Sequence, residues 1–166
     1  MIERIAVERF RIQSSKSFEE VLLGLEAGIG RPVMSVLQPQ LDAASSFPEF
    51  RALIETAVGG AGLMEFLRLD LGRAMRKDPE AKAYRIVRII AGNPLIMKRM
   101  VEHVPDAGSY APVTILVYES QGKVHICYDT MESLLTSYRN EPALKVAREL
   151  DSKVIKLLRE AAELRE

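Results

Sequence analysis

Cysteine is nearly missing: the single Cys127 rules out a disulfide within the chain. It lies in an apolar, strand-like run, where a thiol reads as a buried and inert side chain. Histidine is scarce too. His103 and His125 are the only two, neither has Cys, Asp or Glu at ligand spacing, and no metal site or cofactor is expected. Net charge is absent, because 23 basic and 23 acidic side chains cancel. Dedicated nucleic-acid binders carry a basic excess, since phosphate neutralisation dominates their affinity, so nucleic acid is a disfavoured partner. Long apolar runs are also lacking. No stretch approaches the roughly 18 residues of a membrane span, and the opening Met1-Ile2-Glu3-Arg4-Ile5 has no apolar core of signal-peptide length. The expectation is a cytoplasmic protein that does not engage a membrane.

What is present suits one compact unit. A chain of 166 residues buries about 70% of the surface that its unfolded form exposes, so residues 1–166 are expected to form a single domain that needs no metal or disulfide. Residues 2–13 read as a strand, with Ile5 and Val7 on one face and Phe10 and Ile12 on the other; a bulge or two-sided burial would reconcile the two patterns. Ser17-Phe18-Glu19-Glu20 is a capping box that opens a helix carrying Val21, Leu22, Leu25 and Ile29, and Gly28, Gly30 and Pro32 stop it. Residues 31–60 read as a helical insertion, with a clear start at Phe47-Pro48-Glu49.

Leu63 to Asp70 and Tyr84 to Ala91 read as inner strands, separated by a helical turn at 72–78. Asn93-Pro94 starts a short helix. Val113 to Glu119 and Lys123 to Tyr128 form a hairpin about Ser120-Gln121-Gly122. A small helix follows near Met131 to Tyr138. Asn140 and Pro142 then open a long helix with an apolar seam at Ala143, Ala147, Leu150, Val154, Leu157, Ala161 and Leu164, and a Glu149–Lys153 pair on its outer face. Consecutive strands with helices set apart define an α+β fold: one twisted antiparallel sheet of about five strands with helices packed on one face. Off-seam Leu144, Val146, Ile155 and Leu158 suggest a second face to cover, and hence a homodimer.

Gly62-Leu63-Met64 with Asp70, Ile89-Ile90-Ala91-Gly92-Asn93-Pro94, Val117-Tyr118-Glu119, and Gly122-Lys123-Val124 with Tyr128 occur in an order and spacing that resemble the domain of unknown function 302 family. The likeness covers roughly 120 residues, with 31–60 as an apparent insertion. It implies a TATA-binding-protein-like arrangement of strand, helix, four strands and helix, and a homodimer. It implies shape without chemistry, since no activity or cofactor travels with the family. Two positions depart from the pattern. Gly92 stands where some members carry Cys, and Leu71 where others carry His, which weakens any thiol or metal role there.

Five residues are candidate ligand contacts. Gly92 and Asn93 lie at a strand-to-helix junction whose free N–H groups suit a phosphate or carboxylate, although a plain cap explains Asn93 as well. Asp70, Glu119 and Tyr128 each end a strand; if the strand ends coincide, Asp70, Asn93 and Tyr128 line one polar pocket, and otherwise they are turn residues. Arg73, Arg76, Lys77, Lys82, Arg85 and Arg88 concentrate positive charge. Tyr84 is the only ring among them, whereas single-strand binders present several, so a solvated face offset by Asp78 and Glu80 is preferred. The leading expectation is a non-enzymatic small-ligand-binding or regulatory module that takes an anionic ligand. The alternatives are an enzyme using Asp70 and Tyr128 as acid–base groups, with catalytic residues otherwise unknown, and nucleic-acid or anion binding through the basic 73–88 region.

Overall fold

A computed structural model describes residues 2–82 and 84–163. Leu164, the last residue of the expected seam, lies outside the described residues. The first strand, β1 (Arg9–Ser14), begins later than expected, and residues 2–8 precede it without regular structure. This resolves the two conflicting patterns. Ile5 and Val7 are surface residues outside the strand, Phe10 and Ile12 face the core, and the β1 register runs without a bulge.

Helix α1 (Phe18–Gly28) opens on the expected box: Glu20 N donates to Ser17 Oγ at 3.2 Å, and Ser17 N donates to Glu20 Oε2 at 2.8 Å. After it comes an element absent from the sequence reading. The two-residue strand β2 (Ile29–Gly30) pairs parallel with the start of β3 (Leu63–Asp70). The sheet therefore has six strands rather than about five, and one of its pairings is not antiparallel. Two glycines explain it. A Cβ at Gly30 would stand 2.0 Å from the Ala57 carbonyl oxygen, and one at Gly59 would stand 2.4 Å from that of Gly28. Backbone lies directly on backbone here, so these glycines permit close approach as well as turning.

Residues 31–60 are helical as expected, forming α2 (Met34–Ala43) and α3 (Phe47–Ala57). Leu37 and Ile54 close a small second core on Met64, whereas the preceding Leu63 enters the main core. Successive strand side chains point to opposite faces. The α2–α3 pair thus engages the side of β3 away from the main helices.

Strands β4 (Ile86–Gly92), β5 (Val113–Ser120) and β6 (Lys123–Asp129) complete the sheet in the order β1-β6-β5-β4-β3-β2, antiparallel except for β2 with β3. The β5–β6 turn places Gln121 and Gly122 at positive φ, the geometry that twists with the strands. Strand, helix, four strands and helix recur in order around the added β2.

Helices α4 (Gly72–Met75), α5 (Pro94–Val101), α6 (Met131–Leu135) and α7 (Glu141–Ala162) fill the connections and the end of the chain. α1 and α7 cover one face, over Ile89, Ile115, Val117 and Ile126. Here two expectations change. Val146 and Leu158 are buried, and Leu144 and Ile155 pack against the same core, so α7 presents no second apolar face and the argument for a homodimer through it is lost. Glu149 pairs with Arg99 at 3.0 Å instead of Lys153.

Candidate functional site

The strand ends do not coincide. Asp70 pairs with Val87 at one end of β4, while Asn93 follows Gly92 at the other end. Six residues of extended chain set them about 20 Å apart. Asp70 meets Arg76 at 2.5 Å, and that hydrogen bond holds its carboxyl below the usual aspartate range. Asn93 uses both ends of its amide: Oδ1 accepts from Leu95 N at 2.8 Å and Nδ2 donates to the Gly62 carbonyl at 2.9 Å. It caps α5 and ties that helix to the start of β3. At Gly92 a Cβ would meet Pro112 Cβ at 3.1 Å, so glycine serves packing there. Glu119 lies near the hairpin end, opposite Val124, and its N–H donates to the Arg85 carbonyl at 3.0 Å.

Tyr128 is inside the core, 1% exposed. Its phenol donates to Asp151 Oδ1 at 2.6 Å. Burial and the adjacent carboxylate push the phenol pKa far up. Asp151 also accepts from Met131 N at 2.8 Å and Glu132 N at 3.0 Å, and so caps the first turn of α6 from α7. An acid–base role for Tyr128 lacks access for a substrate. The pair is a knot that ties β6, α6 and α7 together.

The basic 73–88 region is dispersed. Arg76 pairs with Asp70, and Arg85 pairs with Glu19 while stacking on Phe18. The counter-ions are Asp70 and Glu19 rather than the expected Asp78 and Glu80. Only Arg88 joins a cluster, and that cluster lies on the face of the sheet opposite α1 and α7.

Strand registry assembles it. Arg11 lies across from Cys127, Cys127 from Leu116, and Leu116 from Arg88, which makes one row over four strands. The next row begins with Arg9 and Asp129, bonded at 2.5 Å, and continues through Thr114 and Ile90. Arg88 Nη2 donates to Thr114 Oγ1 at 3.1 Å. The Cys127 side chain favours the charged form of Arg11, and the neighbouring Arg9 charge opposes it. Thr114 and Cys127 are diagonal neighbours, and such positions stand about 7–8 Å apart. Arg11 and Arg88 thus stand at the two ends of one row, and Arg88 is held there by its bond to Thr114. Neither Arg11 nor Arg88 forms an ion pair among the described residues.

The gap between them lies in a basin of about 640 Å³. Leu116 and Ile90 belong to its floor, and Tyr110, Pro112 and Leu134 stand at its side. Tyr118 stacks on His125 at 4.8 Å in the adjoining row, and His125 Nδ1 is buried without a hydrogen-bond partner. The sequence signal for the basin was faint. Arg11 and Arg88 each alternate with core residues along a strand, but only registry reveals that they share a face.

Among the described residues, no helix is long and apolar enough to cross a membrane. No curated protein matches the chain. A crystal structure of an uncharacterized conserved DUF302 protein from Bacillus stearothermophilus is similar in fold, with a TM-score of 0.65 and 12% sequence identity over 92% of this chain and 97% of that one. The model of the family described as domain of unknown function DUF302 matches residues 39–161, a span that starts inside α2 and takes in α3 as well as β3 to α7. The chain belongs to the domain of unknown function 302 family.

Proposed function

We propose that this protein is a small-ligand-binding module that seats one oxyanionic group, a carboxylate, phosphate or sulfate, between Arg11 and Arg88. The observation that carries the reading is the pairing itself. Two arginines from strands far apart in sequence are brought to the ends of one row across the sheet, Arg88 bonded to Thr114 and Arg11 facing Cys127, with no carboxylate spent on either. Other arginines of the molecule, such as Arg9, Arg68, Arg76, Arg85 and Arg148, are neutralised by acids. Guanidinium is the side chain that meets a planar or tetrahedral oxyanion with two parallel N–H bonds.

The test is thermal unfolding in phosphate, sulfate or acetate against chloride at matched ionic strength. Ligand at 100 times its dissociation constant adds about 2.7 kcal/mol of stability. The expected result is a raised midpoint for the wild type, absent in Arg11→Gln and Arg88→Gln. Equal midpoints in every anion, or a rise that persists in both variants, overturns the reading.

A further inference from the structure

The basin is larger and less polar than an inorganic anion requires. Within and beside the arginine gap its floor is Leu116 and Ile90, and its wall is Tyr110, Pro112 and Leu134. Leu116 and Ile90 are only partly exposed, and although α2 and α3 engage this side at β3, among the described residues no helix packs over these two as α1 and α7 pack over the other face. A phosphate held between the guanidinium groups would leave that apolar floor in water. A ligand with a hydrocarbon part attached to its anionic group would cover it.

The charge of the face selects between the occupants that remain. Around the gap stand Arg9, Arg11 and Arg88 against the single Asp129. A second copy with its two-fold axis through the gap would set these arginines against their own counterparts, and unpaired like charges brought out of water are costly. A neutral apolar molecule would strip water from the two guanidinium groups and give nothing in return. An amphipathic anion meets both demands at once.

Resting on the anion-binding reading above, we infer that the ligand is an amphipathic carboxylate: its head lies between Arg11 and Arg88, and a short hydrocarbon chain or ring lies on Leu116 and Ile90. Burying a methylene contributes about 0.8 kcal/mol, so each one added should tighten binding about three- to fourfold until the floor is filled.

A homologous series decides it: acetate, butyrate, hexanoate and octanoate, with octanol as the uncharged control, titrated calorimetrically at fixed ionic strength. The wild type should show affinity climbing along the acids and little binding of the alcohol. Leu116→Ser should flatten the climb along the series, and Arg11→Gln should weaken every acid by a similar factor. Both residues lie on the uncovered face; should Leu116→Ser fail to fold, Ile90→Ser replaces it. Acids that bind equally well whatever their length would overturn the inference and leave the oxyanion site standing. Octanol binding as tightly as octanoate, or octanoate binding untouched by Arg11→Gln, would overturn it as well. No binding of any acid or of phosphate would remove both readings together.

Discussion

Asp151 occupies a seam position, four residues after Ala147 and three before Val154, where the α7 pattern calls for an apolar side chain. It is buried, and it is acceptable there only because three donors converge on it: the Tyr128 phenol and the N–H groups of Met131 and Glu132. Asp151→Ala leaves all three without a partner and should cost about 3 kcal/mol or more in urea unfolding. Tyr128→Phe removes one donor and should cost about 1 kcal/mol. Because the two act as one unit, the double variant should be less destabilised than the sum of the singles, and strict additivity would refute the knot. Titration supplies a second check. Burial is the largest influence on Asp151 and raises its pKa, while the three donated bonds pull it down. A carboxyl with a folded value above its unfolded one contributes stability that is full below the unfolded pKa and lost as pH rises through the folded pKa. The stability of the wild type relative to Asp151→Asn should therefore fall as pH is raised through that window. Asp70 and Asp129 behave in the opposite sense: Arg76 and Arg9 lower their values, so their contribution is present above the unfolded pKa and lost on acidification.

Two glycines let α1 pack on α7: a Cβ at Gly28 would stand 2.5 Å from the movable end of the Leu157 side chain, whereas Gly24 faces backbone. A Cβ at Gly24 would stand 2.9 Å from the Ala161 Cα, backbone against side chain, so Gly24→Ala has to force the helices apart at a cost of about 1–3 kcal/mol. Gly60 is the control. A Cβ there meets nothing within 4 Å, and Gly60→Ala should be neutral or slightly stabilising. Thermal midpoints of the two variants check the contrast, and equal midpoints would contradict it. These elements were legible in the sequence to unequal degrees. Helices with local punctuation were plain, since Ser17 and Glu20, Asn93 and Pro94, and Asn140 and Pro142 each carry a cap in neighbouring residues. Alternation in residues 2–8 suggests a longer β1, but it is not accompanied by pairing, which the local sequence does not encode. β2 was missed because two residues hold no periodicity, and its cause is contact with Gly59 across 29 positions of chain. The candidate site shows the same limit more sharply. Asp70, Asn93 and Tyr128 could each be placed at a strand end, but strand direction decides which end, and that is fixed only when the sheet is assembled.

Over the whole molecule, 23 positive and 23 negative side chains cancel, yet they are not evenly paired. Half of the described arginines lie in ion pairs, such as Arg85 with Glu19 and Arg148 with both Glu132 and Glu141, and on the uncovered face Arg9 does so with Asp129. Arg11 and Arg88 are the exceptions on the uncovered face, and Arg9 works against the charge of Arg11. Residues retained for folding lose stability when removed, whereas residues retained for binding often release repulsion when removed. The double variant Arg11→Gln/Arg88→Gln should therefore unfold, in low-salt chloride buffer, at the same urea concentration as the wild type or at a slightly higher one. Added salt should narrow any gain, because screening weakens the like-charge repulsion that the substitutions remove. In phosphate the order should reverse, since only the wild type has an ion to bind. A double variant clearly less stable than the wild type in chloride would show instead that the two arginines hold the sheet together. The uncovered face would then need no ligand to account for it.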